Sequence, residues 1–434
     1  MRFEGWSRQR VDEVGGVAGV GKHLRQIART PPELVRRVEE IVNDVKERGD
    51  DALLRLIQTY DTGGTPPMPL VVEHERLDRA LEQLPLDVVA GLQVAISNVA
   101  EVADAALAQD AKVTLPQGQT VTMREVPVRC AAVYVPGGRA PYPSTAVMGV
   151  VTARSAGVLD VVVCSPPGAD GEIHSAILGA CRLLGVDRVY RMGGAHAIAA
   201  LAFGTETVGG VDVIVGPGNL WVQEAKREVA GIVGIDGFAG PSDLMVVLGT
   251  DANLNAAALD LLAQAEHGST ASLVVAVSPS REALDGLGAR IASLLGDGPS
   301  DDLADCVLVE VADMQTAIEL ANCFAPEHLQ LIGAEAERLA PQMRSAGCLL
   351  VGEDSATAFS DYVAGSNHIL PTGGAARFSS GLSPRNFRRR MSEVRIDRSS
   401  ASKLAKAGVP IARVEGFEWH ARSMEARVRE NPKS

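Results

Sequence analysis

Apolar residues first fall into a clear rhythm at Leu34. Leu34, Val38, Ile41, Val42 and Val45 lie on one stripe of a helical period. The stretches ELVRRVEEIVNDVKERGDDALLRLIQTYD and LDVVAGLQVAISNVAEVADAALA carry the pattern to about residue 110. The spacing predicts a helical region over 31–127, with a charged outer face and an apolar face packed on something else. At about residue 128 the texture changes. CAAVYVPGG, LDVVVCSPP, DRVYRMGG and VDVIVGPGN are short β-rich runs that each end in Gly or Pro. Helical stretches such as STAVMGVVTARSAGV, EIHSAILGACRLLG and LWVQEAKREVAG separate them. This alternation predicts a doubly wound parallel sheet over 128–244. A second series, from DLMVVLG to GCLLVG, predicts another α/β domain over 245–380, with the 31–127 helices packed on it. In such sheets ligands are expected where strands end in loops.

The two ends of the chain fit neither pattern. Residues 1–30, with DEVGGVAGVGKH, read as an arm outside any core element. Residues 381–434 read as a charged tail in which RNFRRRMSEV and VEGFEWHARSMEARVRE are helical. The tail is too poor in apolar residues for a core of its own, so it is expected to pack on another surface, such as a partner subunit.

Composition narrows the function. The net charge of −13 disfavours nucleic acid or an anionic membrane as a partner. No apolar run is expected to span a bilayer, and the N-terminus lacks the apolar segment of a signal peptide, so a cytoplasmic location is expected. The six cysteines include no CxxC pair and read as reduced core residues.

Candidate chemistry sits at few places. VDVIVGPGN followed by LWVQEAKREV is a strand, a tight turn and a helix whose N-terminus could face an anion, or could be only a structural turn. Tyr134 precedes a similar turn in VYVPGG. In LLAQAEHGS, Gln264 and His267 are three apart and share a face of the last helical turn; His267 could equally be a surface residue on the helix dipole. FSDYVAGSNHILPTGG crowds Asp361, Tyr362, Asn367, His368 and Thr372 into one loop. Asp361, His267 and a further histidine, with His420 of GFEWHAR a candidate, would make a zinc shell of oxygen and nitrogen ligands; before any resemblance is weighed, a surface histidine beside Trp419 is the favoured reading of His420. In FAPEHLQLI, Glu327 and His328 stand side by side after Pro326. They are either a solvated loop pair or two proton-handling groups at the edge of a core.

These stretches, in this order, resemble the histidinol dehydrogenase family. The resemblance rests on VYVPGG, ALAFGTETV, VIVGPGN, AGPSD, LLAQAEHG, APEHL, DYVAGSNHILPTGGAARFSSGLS and the tail histidine. It implies a zinc-dependent homodimer that oxidises L-histidinol to L-histidine through the aldehyde, using two NAD. It implies two Rossmann-like domains, a helical N-terminal region and a small tail exchanged across the dimer. The metal positions it implies are Gln264, His267, Asp361 and His420, with His420 supplied by the other subunit. Glu327 and His328 become the proton-transfer residues. Ser242, His368 and Glu415 become substrate contacts, beside His328 and the metal positions. Tyr134, His196 and Asn219 match cofactor positions. There are departures: His196 stands where the family usually has glutamine, Asp243 replaces a glutamate, and Ser269-Thr270 follow AEHG in place of an acid and proline. Phe417 and Trp419 are bulky neighbours of His420. The competing readings are a same-fold dehydrogenase of another small alcohol such as a sulfonated diol, a zinc hydrolase with Glu327 as base, and a binding protein without catalysis.

Overall fold

The short apolar runs become the strands of two parallel sheets. A computed structural model of the chain describes residues 1–26, 32–137, 140–237, 242–268, 272–296 and 302–428. The motif positions Gly138, Ala239–Pro241 and Ser269-Thr270 lie outside the described residues. The Cα trace separates into two units: Met1–Ala106 with Arg129–Phe387, and Leu107–Val128 with Arg388–Ser434.

The first unit holds both parallel sheets. In the five-stranded sheet, Cys130–Tyr134 is central, with Asp160–Ser165 and Val189–Arg191 on one side and Val213–Val215 and Gly234–Ile235 on the other. The strand order therefore reverses between Cys130–Tyr134 and Val213–Val215. The six-stranded sheet runs from Phe3–Trp6 through Cys306–Glu310, Ser272–Ser278, Ser242–Leu248 and His328–Ile332 to Cys348–Val351. Its interior strands read SLVVAVS and SDLMVVL, continuous apolar runs suited to a sheet covered on both faces.

Three expectations are corrected here. The first residues are not an arm: Phe3–Trp6 is the edge strand of the six-stranded sheet and Trp6 is fully buried. The Gly-rich stretch is part of a helix, Gly16–Gln26, because Val20 and Leu24 bury one face into that sheet's core beside Trp6. Tertiary burial outweighs the poor helix propensity of glycine. Second, the helices of 31–127 pack against the other sheet. Val38, Val42, Val45, Leu53 and Leu56 of Pro32–Leu56 share a core with Tyr134, Ile198 and Ile214. Third, Leu86–Ala105 is long and apolar enough to cross a membrane by length and composition. In the fold its Leu92, Ala95, Val99 and Ala103 are buried, and Asn98 donates to the Val363 carbonyl at 2.8 Å.

The second unit is a three-stranded antiparallel sheet, Arg388–Arg395, Thr120–Pro127 and Ala111–Thr114, with the helices Arg398–Val414 and Glu418–Glu425. The expected helices over RNFRRRMSEV and over 111–127 are thus strands. Long-range antiparallel pairing, Arg388 opposite Pro127 through Arg395 opposite Thr120, overrides the local pattern. Among the described residues, the unit's own buried apolar cluster is Ala405, Val409, Ala412 and Ala421.

Candidate active site

Glu327 and His328 lie where the chain enters a strand. The helix Met314–Phe324 ends with Ala325 in the left-handed region, at φ 51°. Pro326 follows, and His328 opens the strand His328–Ile332. This strand runs parallel to Ser242–Leu248, with His328 opposite Leu244. Ser242, Asp243, Glu327 and His328 therefore gather at the amino edge of the six-stranded sheet. These candidate residues lie at the edge opposite the carboxyl ends where ligands are expected in such sheets. The helix Leu254–Ala265 runs back to the same edge and delivers Gln264 in its last turn.

The pair is buried: Glu327 is 6% and His328 3% exposed. Glu327 Oε2 accepts from Ser242 Oγ and from the Asp243 backbone N–H at 3.1 Å. Ser242 Oγ in turn accepts from Gln264 Nε2 at 2.6 Å. The polar chain therefore runs from Gln264 through Ser242 to Glu327. Burial pushes the Glu327 carboxyl up to about 7, against the opposing pull of His328 and Ser242. For His328, burial works against protonation, but the Asp361, Glu327 and Asp243 carboxylates outweigh it and raise its pKa. Its Nδ1 lies 3.9 Å from Glu327 Oε2 and its Nε2 3.4 Å from Asp361 Oδ1, and among the described residues neither nitrogen has a hydrogen-bond partner. The buried ring thus has a carboxylate on each side with which a proton can be exchanged.

Three metal-type donors belong to this unit. Gln264 Oε1 is buried and unpaired, while the amide nitrogen is committed to Ser242. An orphaned amide oxygen inside a core is costly unless something cationic or donating meets it. His267, exposed at the helix end, has Nδ1 at 3.0 Å from the Gln264 carbonyl. That carbonyl can only accept, so Nδ1 carries a proton, and in the neutral ring Nε2 is the nitrogen with the free lone pair. Asp361 is held below its ordinary carboxyl range: burial raises it, but His328, His368 and His267 prevail. Among the described residues no group of three or more His, Cys, Asp or Glu is gathered tightly enough to hold a metal. His420, exposed, and Glu415, the last residue capping Arg398–Val414, belong to the other unit.

His368 is committed elsewhere. Its Nδ1 donates to the Asp361 carbonyl at 2.8 Å and its Nε2 lies 3.0 Å from Thr145 Oγ1, which must then be the donor. Burial lowers its pKa, consistent with this neutral form. With both ring nitrogens used, His368 fastens Asp361 to the helix Pro143–Ser155.

The other matched positions sit at the carboxyl edge of the five-stranded sheet, at its reversal of strand order. Tyr134 is buried, its hydroxyl accepting from Gly194 N–H at 3.3 Å. Beside it Gly216, at φ 118°, passes so close that a Cβ would lie 2.1 Å from the Tyr134 carbonyl oxygen. Asn219 Oδ1 caps the helix Leu220–Val229, accepting from Trp221 and Val222 N–H. His196 is 2% exposed and pairs with Asp61 at 3.0 Å, while Asp61 also takes the Gly193 N–H. Sequence reasoning did not single out Asp61, Ser272 or Arg25. Of these, Ser272 Oγ donates to the Gln264 carbonyl at 3.1 Å.

A sequence profile described as histidinol dehydrogenase matches residues 25–428. Histidinol dehydrogenase of Parasynechococcus marenigrum (strain WH8102) is 41% identical over 398 residues, covering 90% of each chain. That of Thermobifida fusca (strain YX) is 39% identical over 434 residues, covering 96% of this chain and 97% of its own. The crystal structure of histidinol dehydrogenase from Elizabethkingia anophelis superposes with a TM-score of 0.89 at 28% identity, covering 98% of both chains. With a buried acid–histidine pair at one sheet edge and matching relatives along nearly its whole length, this chain belongs to the histidinol dehydrogenase family.

Proposed function

We propose that the chain is an NAD-linked dehydrogenase that oxidises L-histidinol to L-histidine through the aldehyde, in the cytoplasm, as a zinc-dependent homodimer. The observation that carries this reading is the juxtaposition of Glu327 and His328 with the unpaired Gln264 oxygen and Asp361. The donors present suit zinc, a borderline ion that takes imidazole nitrogen and carboxylate or carbonyl oxygen. Gln264 Oε1, His267 Nε2 and Asp361 would hold it, with His420 of the partner subunit completing the set. The tight turns at Tyr134 and Gly216–Asn219, opening into a helix N-terminus, suit the dinucleotide. When bound, zinc supplies a fixed charge that orients the substrate's nitrogen donors, and NAD supplies the hydride acceptor.

The protein's own part is proton transfer. Loss of hydride from a carbinol carbon requires loss of the hydroxyl proton, and His328 is the group to take it. In the second oxidation water adds to the aldehyde, and Glu327 takes the proton from that water. Glu327 Oε1 accepts no hydrogen bond from the described residues, so it is the oxygen left to receive a proton. Adjacent residues can serve both steps because both steps occur at one carbon. Glu415 is proposed to contact the imidazole or the ammonium group, and Ser242 to stand between Gln264 and Glu327. The test is metal analysis with NADH stoichiometry on purified protein: about two NADH per L-histidinol consumed is expected, and no NADH with zinc present rejects the reading.

A further inference from the structure

We propose that Arg25, from the helix Gly16–Gln26, together with Asp243, is the positioning device that sets the Glu327 carboxylate for the second oxidation. The inference rests on the role given to Glu327 above. Arg25 Nη1 meets Asp243 Oδ2 at 2.7 Å. The same guanidinium donates from Nε and Nη2 to the Phe324 carbonyl and from Nη2 to the Ala325 carbonyl at 2.8 Å. It lies over the Phe324 ring, 3.7 Å from the centroid. Asp243 Oδ1 accepts the Glu327 N–H at 2.7 Å, and the Asp243 N–H returns to Glu327 Oε2. One partly buried ion pair therefore fixes two carbonyls and an amide of the turn Phe324–Glu327, and the Asp243 backbone N–H holds one oxygen of the carboxylate itself.

The turn needs such a device. Ala325 is the one non-glycine residue at positive φ among the described residues, and Pro326 brings no N–H to hold the chain. A left-handed alanine persists only where its surroundings over-determine it. Arg25 does this from a helix 299 positions away in sequence, with its planar fork reaching several acceptors at once. Gly374 lines the same place: a Cβ there would lie 3.1 Å from Arg25 Nε. Asp243 is 2% exposed, and burial raises its carboxyl against the pull of Arg25. Without Arg25 it faces Glu327 as an unpaired acid.

The test compares Arg25→Met, Arg25→Lys and Glu327→Gln with the parent enzyme in its zinc-loaded form. The readouts are NADH formed per histidinol consumed and trapped aldehyde. Displacing a reacting group by about 1 Å can cost on the order of 100-fold in rate. Arg25→Met is expected to slow aldehyde oxidation by about 10–100-fold, with stoichiometry falling from two NADH toward one and aldehyde accumulating. Arg25→Lys, which keeps the charge but not the fork, should recover part of the second step. A fraction of unfolded protein lowers both steps equally and cannot change stoichiometry, so a variant that loses rate at unchanged stoichiometry overturns the inference. If Glu327→Gln itself leaves the stoichiometry at two, the role of Glu327 is wrong. If Glu327→Gln shifts it and Arg25→Met does not, the positioning role alone fails.

Discussion

The buried acid makes a prediction about stability that does not depend on turnover. Replacing Glu327 by glutamine keeps the shape and removes the ionisation. In the folded chain burial carries this carboxyl from its ordinary 4.5 to about 7. The sign follows from proton counts. Between those two values the folded state holds a proton that the unfolded chain has released, so stability falls as pH rises across that window. At about 1.4 kcal/mol per pH unit, the wild type loses up to about 3 kcal/mol by pH 7, after which the loss is constant. Raised His328 tilts stability the same way: its contribution is full at acid pH and lost as pH rises through its folded value. Glu327→Gln also removes one of the carboxylates that raise His328, so the coupled pair adds to the difference between the two proteins in the same direction. With an unfolding entropy of about 2.1 cal/mol/K per residue, a chain of 434 residues converts about 3 kcal/mol into a shift of about 3–4 °C. The assay is the thermal midpoint of both metal-free proteins from pH 4.5 to 8. Glu327→Gln should gain on the wild type by at least that amount as pH rises to 7, and keep the gain above it. A difference flat with pH, or one in which the variant loses ground, refutes the burial argument.

His328→Asn should cut NADH formation from L-histidinol by about 10²–10⁴-fold while zinc stays bound, checked by initial rates and metal analysis. Chelation should abolish turnover and zinc should restore it, and His420→Asn should retain zinc less well than the parent on dialysis. Mixing His420→Asn with Asp361→Asn subunits should restore some activity after verified exchange, because one mixed dimer can assemble one intact site. Oxidation of supplied aldehyde should rise about tenfold per pH unit below pH 7 and level above it, as Glu327 loses the proton that blocks it.

The helix and strand alternation of 128–380 was legible because buried parallel strands must be continuous apolar runs between turn residues. The N-terminal strand was not. FEGW is four residues long, and only its pairing with Cys306–Glu310 makes it a strand. RNFRRRMSEV has no local reason to prefer a strand over a helix; its partner lies more than 260 residues earlier. The site divides the same way. Glu327, His328, Gln264 and Asp361 were legible through ordered motifs that resemble a family. Arg25 was hidden in a Gly-rich stretch because its meaning depends on a partner 218 residues away. His368 shows the opposite limit: its loop marked it for a site, and only the geometry reveals that both nitrogens are taken.

The placement of the acid at the amino edge has an electrostatic reason. Inside a parallel ladder every N–H is engaged, and beyond the carboxyl ends the free backbone groups are carbonyls, which repel a carboxylate. At the amino edge the first N–H groups are free to turn toward side chains. Asp243 N–H and Glu327 N–H use that freedom reciprocally, each donating to the other residue's carboxylate. A buried base can thus be fixed there without breaking the sheet. The carboxyl edge of the five-stranded sheet has the opposite character: it carries the positive dipole end of Leu220–Val229 behind Gly216–Asn219, where Asn219 Oδ1 takes the Trp221 and Val222 N–H groups. A hydride transfer between the two needs both edges turned to one reaction. Within the first unit, the bonds from Thr145 to His368 and from His368 to the Asp361 carbonyl tie the helix that follows the central strand of one sheet to the acid beside His328. On the proposed function, the two sheets would offer proton transfer and cofactor binding opposite backbone polarities, which one sheet edge could not supply alone.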